Sequence, residues 1–288
     1  MHMKNAVLEI PPLLPGRVIV LPGRGEMFIR HHQHDNVDAP TVLLLHGWTG
    51  SSDLQFFTAY EELAKNNSIV GVDHRGHGRG LRPNSPFALE DCADDAADIV
   101  RALGLEQVTT VGYSMGGPIS LLLWQRHPEL VSSMVLQATA LEWNGTRNER
   151  LRWRAGHFLA PVIRRLSTPR MIKLGLRRAI PRGHELSRYL PWIIGEIRRN
   201  DQWMMSEAGR ALSKFDARNF AATITVPTAY VLTTRDRLVL PHKQEALANA
   251  IKATVVQLDG DHLAPMQVPH EFSEATSRAV ALVTQSPE

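Results

Sequence analysis

Short apolar runs that alternate with segments of helical length constrain this chain more than any other feature. Thr41–Leu45, Ile69–Asp73, Val108–Gly112, Met134–Gln137, Pro227–Leu232 and Thr254–Leu258 have strand length and strand-like composition. Leu54–Lys65, Ala88–Leu103, Met115–Arg126, Pro241–Ala250 and Phe272–Thr284 have the length and spacing of helices. Because the short runs are apolar at consecutive positions, they are expected to be buried on both faces. That requirement predicts an α/β architecture, a mostly parallel sheet with helices on both sides. Upstream, Val18–Leu21 and Met27–His31 are separated by Pro22 and Gly23 and read as an entering hairpin.

The alternation stops after Ala138 and resumes near Pro227. Between them the spacing predicts helices over Arg147–Ala160, Met171–Arg178, Glu185–Asn200 and Trp203–Phe215, interrupted by Pro161, Pro169, Pro181 and Pro191. The chain is therefore divided into residues 1–140 as the first part of a core, 141–225 as a helical insertion, and 226–288 as the second part of the core. Charge follows the same division. The whole chain is nearly balanced, with 32 Lys and Arg against 29 Asp and Glu. Within 141–215, however, basic residues outnumber acidic ones more than two to one, and Trp143, Trp153, Trp192 and Trp203 also fall there. With Cys92 as its only cysteine, the chain has no intrachain disulfide and no Cys-rich metal site, which fits a reducing compartment. Glu9, Pro11, Pro12 and Pro15 interrupt the start where a secretory leader needs an apolar core, so cytoplasmic residence is expected.

The strongest chemical signal is Gly112-Tyr113-Ser114-Met115-Gly116-Gly117, placed between a strand-like run and a helix-like one. Small residues at 112 and 116 permit a sharp turn that projects the Ser114 hydroxyl from the sheet edge, with the following amides facing developing negative charge. The alternative is a helix-opening turn. His46-Gly47-Trp48-Thr49-Gly50 follows the first buried run, where the Trp48 and Met115 amides would form an oxyanion hole. Gly47, Trp48 and Tyr113 are expected beside the substrate; otherwise Trp48 merely packs on the sheet. His262, just beyond the last strand-like run, is the candidate base. Asp236 is the candidate carboxylate that orients it, although Arg235 and Arg237 also allow a surface-charge reading. Asp259 and Asp261 read as loop supports. His31, His32 and His34 read as turn residues, and His74 and His77 in Asp73-His74-Arg75-Gly76-His77-Gly78 as loop packing, with metal binding the alternative.

Taken together, these motifs resemble the α/β-hydrolase superfamily, in its serine esterase or lipase-like branch, over nearly the whole chain. Ser114, Asp236 and His262 match the family's order of nucleophile, acid and base. The resemblance implies an eight-stranded, mostly parallel sheet with the second strand antiparallel, and makes the insertion a helical cap over Ser114. Arg79 stands where relatives often place a serine, so it either alters pocket entry or faces water. Pro118 falls early in the helix after the serine, where a proline is tolerated.

The expected reaction is hydrolysis of a small apolar acyl ester through an acyl-enzyme, using neither metal nor organic cofactor. Thioesterase activity, carbon–carbon hydrolysis of a diketone and noncatalytic ligand binding are the alternatives. Trp143 and Trp153 are the expected cap contacts to substrate, while Phe158, Leu159, Trp192, Ile193, Trp203, Met204 and Met205 supply mainly packing. Arg150, Arg152, Arg154, Arg164, Arg165, Arg177 and Arg178 are expected to face solvent. They leave peripheral lipid contact open, whereas no nucleic-acid recognition module accompanies them. Both monomer and homodimer are compatible with the sequence.

Overall fold

A computed structural model describes residues 8–155, 168–177 and 179–284. Phe158, Leu159, Pro161, Arg164, Arg165 and Arg178, and the end of the helix expected to Ala160, lie outside the described residues. Strands β1 (Gly16–Leu21) and β2 (Gly25–His32) form the entering hairpin, followed by β3 (Thr41–Leu45), β4 (Ser68–Val72), β5 (Val108–Tyr113), β6 (Val131–Gln137), β7 (Thr228–Thr233) and β8 (Thr254–Leu258). They make one eight-stranded sheet in the order β1-β2-β4-β3-β5-β6-β7-β8, with β2 antiparallel to both neighbours and the strands from β4 through β8 parallel.

Alternation along the buried strands divides the core. Leu43, Leu45, Val70 and Val72 face one side, under α3 (Leu89–Ala102) and α4 (Gly116–Arg126). Val42, Leu44, Ile69 and Val111 face the other, under α1 (Ser52–Phe56), α2 (Tyr60–Ala64) and α11 (Pro269–Thr284). Helix α9 (Pro241–Ala250) and the short α10 (Ala264–Gln267) flank the last two strands. The helix expected over Leu54–Lys65 is interrupted: residues 57–59 form a turn between α1 and α2. The interruption lets adjacent rings serve different layers. Phe56 stacks on Phe272 of α11, while Phe57 meets Tyr189 and Trp192 edge-on in the cap.

The cap comprises helical residues 147–155 (α5), α6 (Pro169–Leu176), a 3₁₀ turn at Glu185–Tyr189, α7 (Leu190–Ile197) and α8 (Gln202–Lys214). Pro169 and Pro191 open α6 and α7 rather than breaking longer helices, because a proline in the first turn removes only an amide with no intrahelical acceptor. At the base of the insertion, Glu142 bridges Asp216 and the Ala217 amide donates to the Leu141 carbonyl (2.8 Å). The chain thus leaves and re-enters the core at one point. No helix among the described residues is long and apolar enough to cross a membrane.

Candidate active site

The strand order reverses at β3, which lies between β4 and β5, so Leu45 is registered opposite Gly112. Such a reversal opens a crevice at the carboxyl ends of the strands and brings their following loops together. Ser114 occupies the turn from β5 into α4 with φ +52°, a backbone conformation that side chains other than glycine rarely adopt. Tight packing accounts for the glycines around it. A Cβ at Gly112 would lie 2.4 Å from the Gly116 carbonyl oxygen, and one at Gly116 1.9 Å from that of Leu45.

Ser114 Oγ is 3.0 Å from His262 Nε2, and His262 Nδ1 is 2.8 Å from Asp236 Oδ2. Ser114 and Asp236 are buried and His262 partly so. The Asp236 carboxylate can only accept from Nδ1–H. His262 Nε2 therefore carries the lone pair toward the serine hydroxyl. Asp236 Oδ1 also accepts from the Leu238 and Val239 amides (2.8 and 2.9 Å), and Oδ2 from Thr233 Oγ1 (3.0 Å) and Gln244 Nε2 (3.3 Å). The surface-charge reading of Asp236 is thus replaced by a buried one. Thr233 and Gln244 had no sequence signal beyond lying near Asp236.

Gly47 is packed against the serine, since a Cβ there would lie 3.2 Å from Ser114 Cβ. Among the described residues, the amides of Trp48 and Met115 have no protein acceptor. His46 sets this loop. Its Nδ1 donates to the Gly47 carbonyl (2.7 Å), while its Nε2 accepts the His74 amide (3.0 Å), a pairing that only the neutral Nδ1–H tautomer satisfies. Holding the Gly47 carbonyl fixes the plane of the Gly47–Trp48 peptide and so the direction of the Trp48 amide. Burial lowers the His46 pKa to about 4. His74 and His77 pack on the same ring, with centroids 4.3 and 5.2 Å away, and burial and the neighbouring rings keep both well below the ordinary histidine value. Asp73, beside them in the chain, is pushed up to about 6 by burial although it accepts the Ser52 and Arg79 amides. Among the described residues no group of three or more His, Cys, Asp or Glu is arranged for a metal.

A cleft of about 1600 Å³ between cap and core contains Ser114, His262, Gly47, Trp48, Tyr113, Trp143 and Trp153 in its walls. Tyr113 is buried and its hydroxyl donates to the His262 carbonyl (3.1 Å), supporting the histidine loop from behind. Trp143 is also buried, and its carbonyl accepts the Trp153 indole N–H (2.7 Å). Trp48 is 37% exposed, faces Trp153 at 5.9 Å, and donates to the Met205 carbonyl of α8 (2.9 Å). It ties the loop after β3 to the cap.

Arg79 departs from both expectations. Its guanidinium makes two 2.9 Å bonds to Glu196 of α7, a carboxylate 3% exposed, and reaches Asp53 at 3.4 Å. A buried carboxylate requires a counter-ion; Arg199 supplies one from within the cap (2.8 Å), and Arg79 supplies another across the join between core and cap. Asn200 makes a third tie, accepting the Gly78 amide (2.8 Å) and donating to the Thr49 carbonyl (2.7 Å).

A family model described as the alpha/beta hydrolase fold matches residues 40–269. The chain belongs to the alpha/beta-hydrolase family. This family membership accounts for the eight-stranded, mostly parallel sheet and the helical cap inserted into it. A candidate carbamate hydrolase, RutD, of Rhizobium rhizogenes is 27% identical over 88% of this chain and 97% of its own length. Relatives that are 37% and 34% identical align over only 42% and 41% of their own lengths, so the chain matches about two-fifths of each. Among solved structures, an esterase from Exiguobacterium antarcticum is similar with TM-score 0.79 at 20% identity, over 94% of this chain and all of the other. An enol-lactonase from Burkholderia xenovorans is similar with TM-score 0.77 at 21% identity, over 92% of this chain and all of the other. At these identities the structural likeness concerns the fold.

Proposed function

We propose that this alpha/beta hydrolase cleaves a small-molecule carboxylic ester through an acyl-enzyme on Ser114. The observation that carries the reading is the continuous hydrogen-bonded line from Ser114 Oγ through His262 to Asp236, with distances of 3.0 and 2.8 Å. His262 Nε2 accepts the hydroxyl proton as Ser114 Oγ attacks the acyl carbonyl, and the Trp48 and Met115 amides take up the charge on the carbonyl oxygen. The tetrahedral adduct collapses with transfer of the proton from His262 to the departing alkoxide. Water then gives its proton to His262, attacks the acyl carbon and releases the acid, restoring Ser114. Asp236 keeps Nδ1–H directed away from the serine and stabilises the imidazolium at each step.

Replacing Ser114 by Ala tests the assignment. Against a panel of acyl esters of graded chain length, the variant is expected to lose at least about 10³-fold in kcat, and to lose labelling by a fluorophosphonate. Undiminished hydrolysis by Ser114→Ala, with its folding checked by circular dichroism, would remove Ser114 as nucleophile.

A further inference from the structure

The walls of the cleft are chemically divided. Trp153, Leu176, Met205 and Val239 give it apolar surface, whereas its cations come from three elements of the cap. Arg150, Arg152 and Arg154 belong to α5, Arg198 follows α7, and Arg210 and Lys214 stand one turn apart on α8. All six are exposed. Lys243 of α9 also borders the cleft, but it is paired with the only acidic residues in the described wall, Glu142 (3.0 Å) and Glu149 (2.5 Å). Among the described residues, Arg152, Arg154, Arg198 and Lys214 make no ion pair, and Arg210 has only a 3.9 Å contact with Glu207. Arg150 donates to the Asn144 and Gly145 carbonyls, which leaves its charge uncompensated.

Like charges gathered around a concavity with low-dielectric walls focus a positive potential into it. Holding them together disfavours the empty state, and a bound anion relieves that repulsion. We propose that this mouth selects acyl substrates that carry an additional anionic group, a carboxylate or phosphate, remote from the carbonyl attacked by Ser114. The inference rests on the hydrolase reading and sharpens its substrate from an apolar ester to an amphiphilic one, with the apolar chain in the cleft and the anionic end among the arginines. Arginine suits both anions, since its planar fork makes paired hydrogen bonds to either. The anionic end can belong to the acyl part or to the leaving group, and two substrates separate these.

The test compares p-nitrophenyl hexanoate, the mono-p-nitrophenyl ester of adipic acid and hexanoyl-coenzyme A, at low salt and at about 0.5 M salt, where charges are screened beyond a few ångströms. At low salt, kcat/KM for at least one anionic substrate is expected to exceed that of the neutral ester by about ten-fold, with the advantage lost at high salt. Preference for the adipate ester assigns the anion to the acyl side; preference for the thioester assigns it to the leaving group. The paired changes Arg150→Gln with Arg154→Gln, and Arg210→Gln with Lys214→Gln, are expected to reduce the anionic preference and leave the neutral ester unchanged.

Equal kcat/KM for all three substrates at low salt would overturn the proposal, as would a uniform loss in the paired variants. So would a charge effect seen only as adsorption to phosphatidylglycerol vesicles, which would make the cations a lipid-docking surface. Calorimetric binding of the uncleaved adipate ester to Ser114→Ala separates the two readings. Salt-sensitive binding without wild-type turnover supports the anionic mouth and removes the hydrolase reading, whereas turnover without charge dependence does the reverse.

Discussion

Asp236 is held at both carboxylate oxygens. The Leu238 and Val239 amides fix Oδ1, and Thr233 and Gln244 share Oδ2 with His262. Those bonds orient the carboxylate before any substrate arrives, and its charge selects the Nδ1–H tautomer of His262. Asp236→Asn nearly conserves shape but presents an amide that can donate to Nδ1. That exchange places the imidazole proton on Nε2, facing Ser114, where it blocks proton abstraction. The expected outcome is a fall in kcat of about 10⁴-fold near neutral pH with a small change in KM, measured by steady-state kinetics on the preferred ester. A loss below about ten-fold would show that Asp236 does not set the tautomer. The same scale explains Gly116, where any side chain collides with the Leu45 carbonyl across the β3–β5 pair, so this position is fixed by backbone packing as well as by chemistry.

The elements of the cap are tied to the core through a few polar side chains. Arg79 reaches from the loop after β4 to Glu196 on α7, Trp48 from the loop after β3 to α8, and Asn200 from the α7–α8 junction to Gly78 and Thr49. The Asp201 amide adds a bond to the Gly76 carbonyl (2.7 Å), and its carboxylate caps α8 at the Trp203 and Met204 amides. Asn200 is the most exposed of these ties to mutation because both its partners are backbone groups with no alternative side chain. Asn200→Ala leaves the Gly78 amide and Thr49 carbonyl unpaired, and is expected to cost about 2 kcal/mol in urea unfolding. Thr49 follows Trp48 and has φ +65°, so losing this hold also releases the loop that carries the Trp48 amide. kcat for ester cleavage should fall about ten-fold beyond what the stability change explains. Unaltered kcat in a folded variant would separate the tie from the proposed oxyanion role of the Trp48 amide.

At the scale of the molecule, the buried cluster behind the active loop sets the acid response. His46, at about 4, and His74 and His77, well below their usual value, stay neutral in the folded chain, while the unfolded chain protonates them near pH 6.5. The unfolded state therefore binds more protons as pH falls below about 6.5. Each histidine then removes up to about 1.4 kcal/mol of stability per pH unit until its folded pKa is reached. Asp73 acts in the opposite sense: held at about 6 in the fold against an ordinary value of 3.8, it gains a proton first in the folded state and offsets part of the loss between those values. Three histidines outweigh one carboxylate. The urea midpoint is accordingly expected to fall between about pH 7 and pH 5, measured at constant ionic strength, and His46→Gln should flatten the slope. A midpoint that rises on acidification would place Asp73 in control.

Much of this architecture is legible along the chain because its causes are local or periodic. Consecutive apolar runs report two-sided burial in β3 to β7, whereas β8, at the sheet edge, buries only Val256 and Leu258 and leaves Val255 exposed, contrary to expectation. The glycines at 112 and 116 report a turn without room for side chains, and Ser114, Asp236 and His262 each stand just beyond a strand. Alternation along the chain therefore predicts a mostly parallel sheet, a helical insertion and the three residues that the fold brings within hydrogen-bonding distance, while the strand count, the antiparallel second strand and the place of the cap over Ser114 came only from the resemblance to the hydrolase family. The break between α1 and α2 was invisible, since Phe57 turns outward to meet rings of a cap more than a hundred positions away. The joins between cap and core were equally invisible: Arg79 finds Glu196 across 117 positions and Trp48 finds Met205 across 157. A charged or aromatic side chain encodes a need for a partner, but not which partner. Sequence by itself determined the backbone plan and the chemistry available at its edge. Only the tertiary structure decided which loops enclose that edge, because burial removes water as the alternative partner and leaves each polar group to the one neighbour that packing supplies.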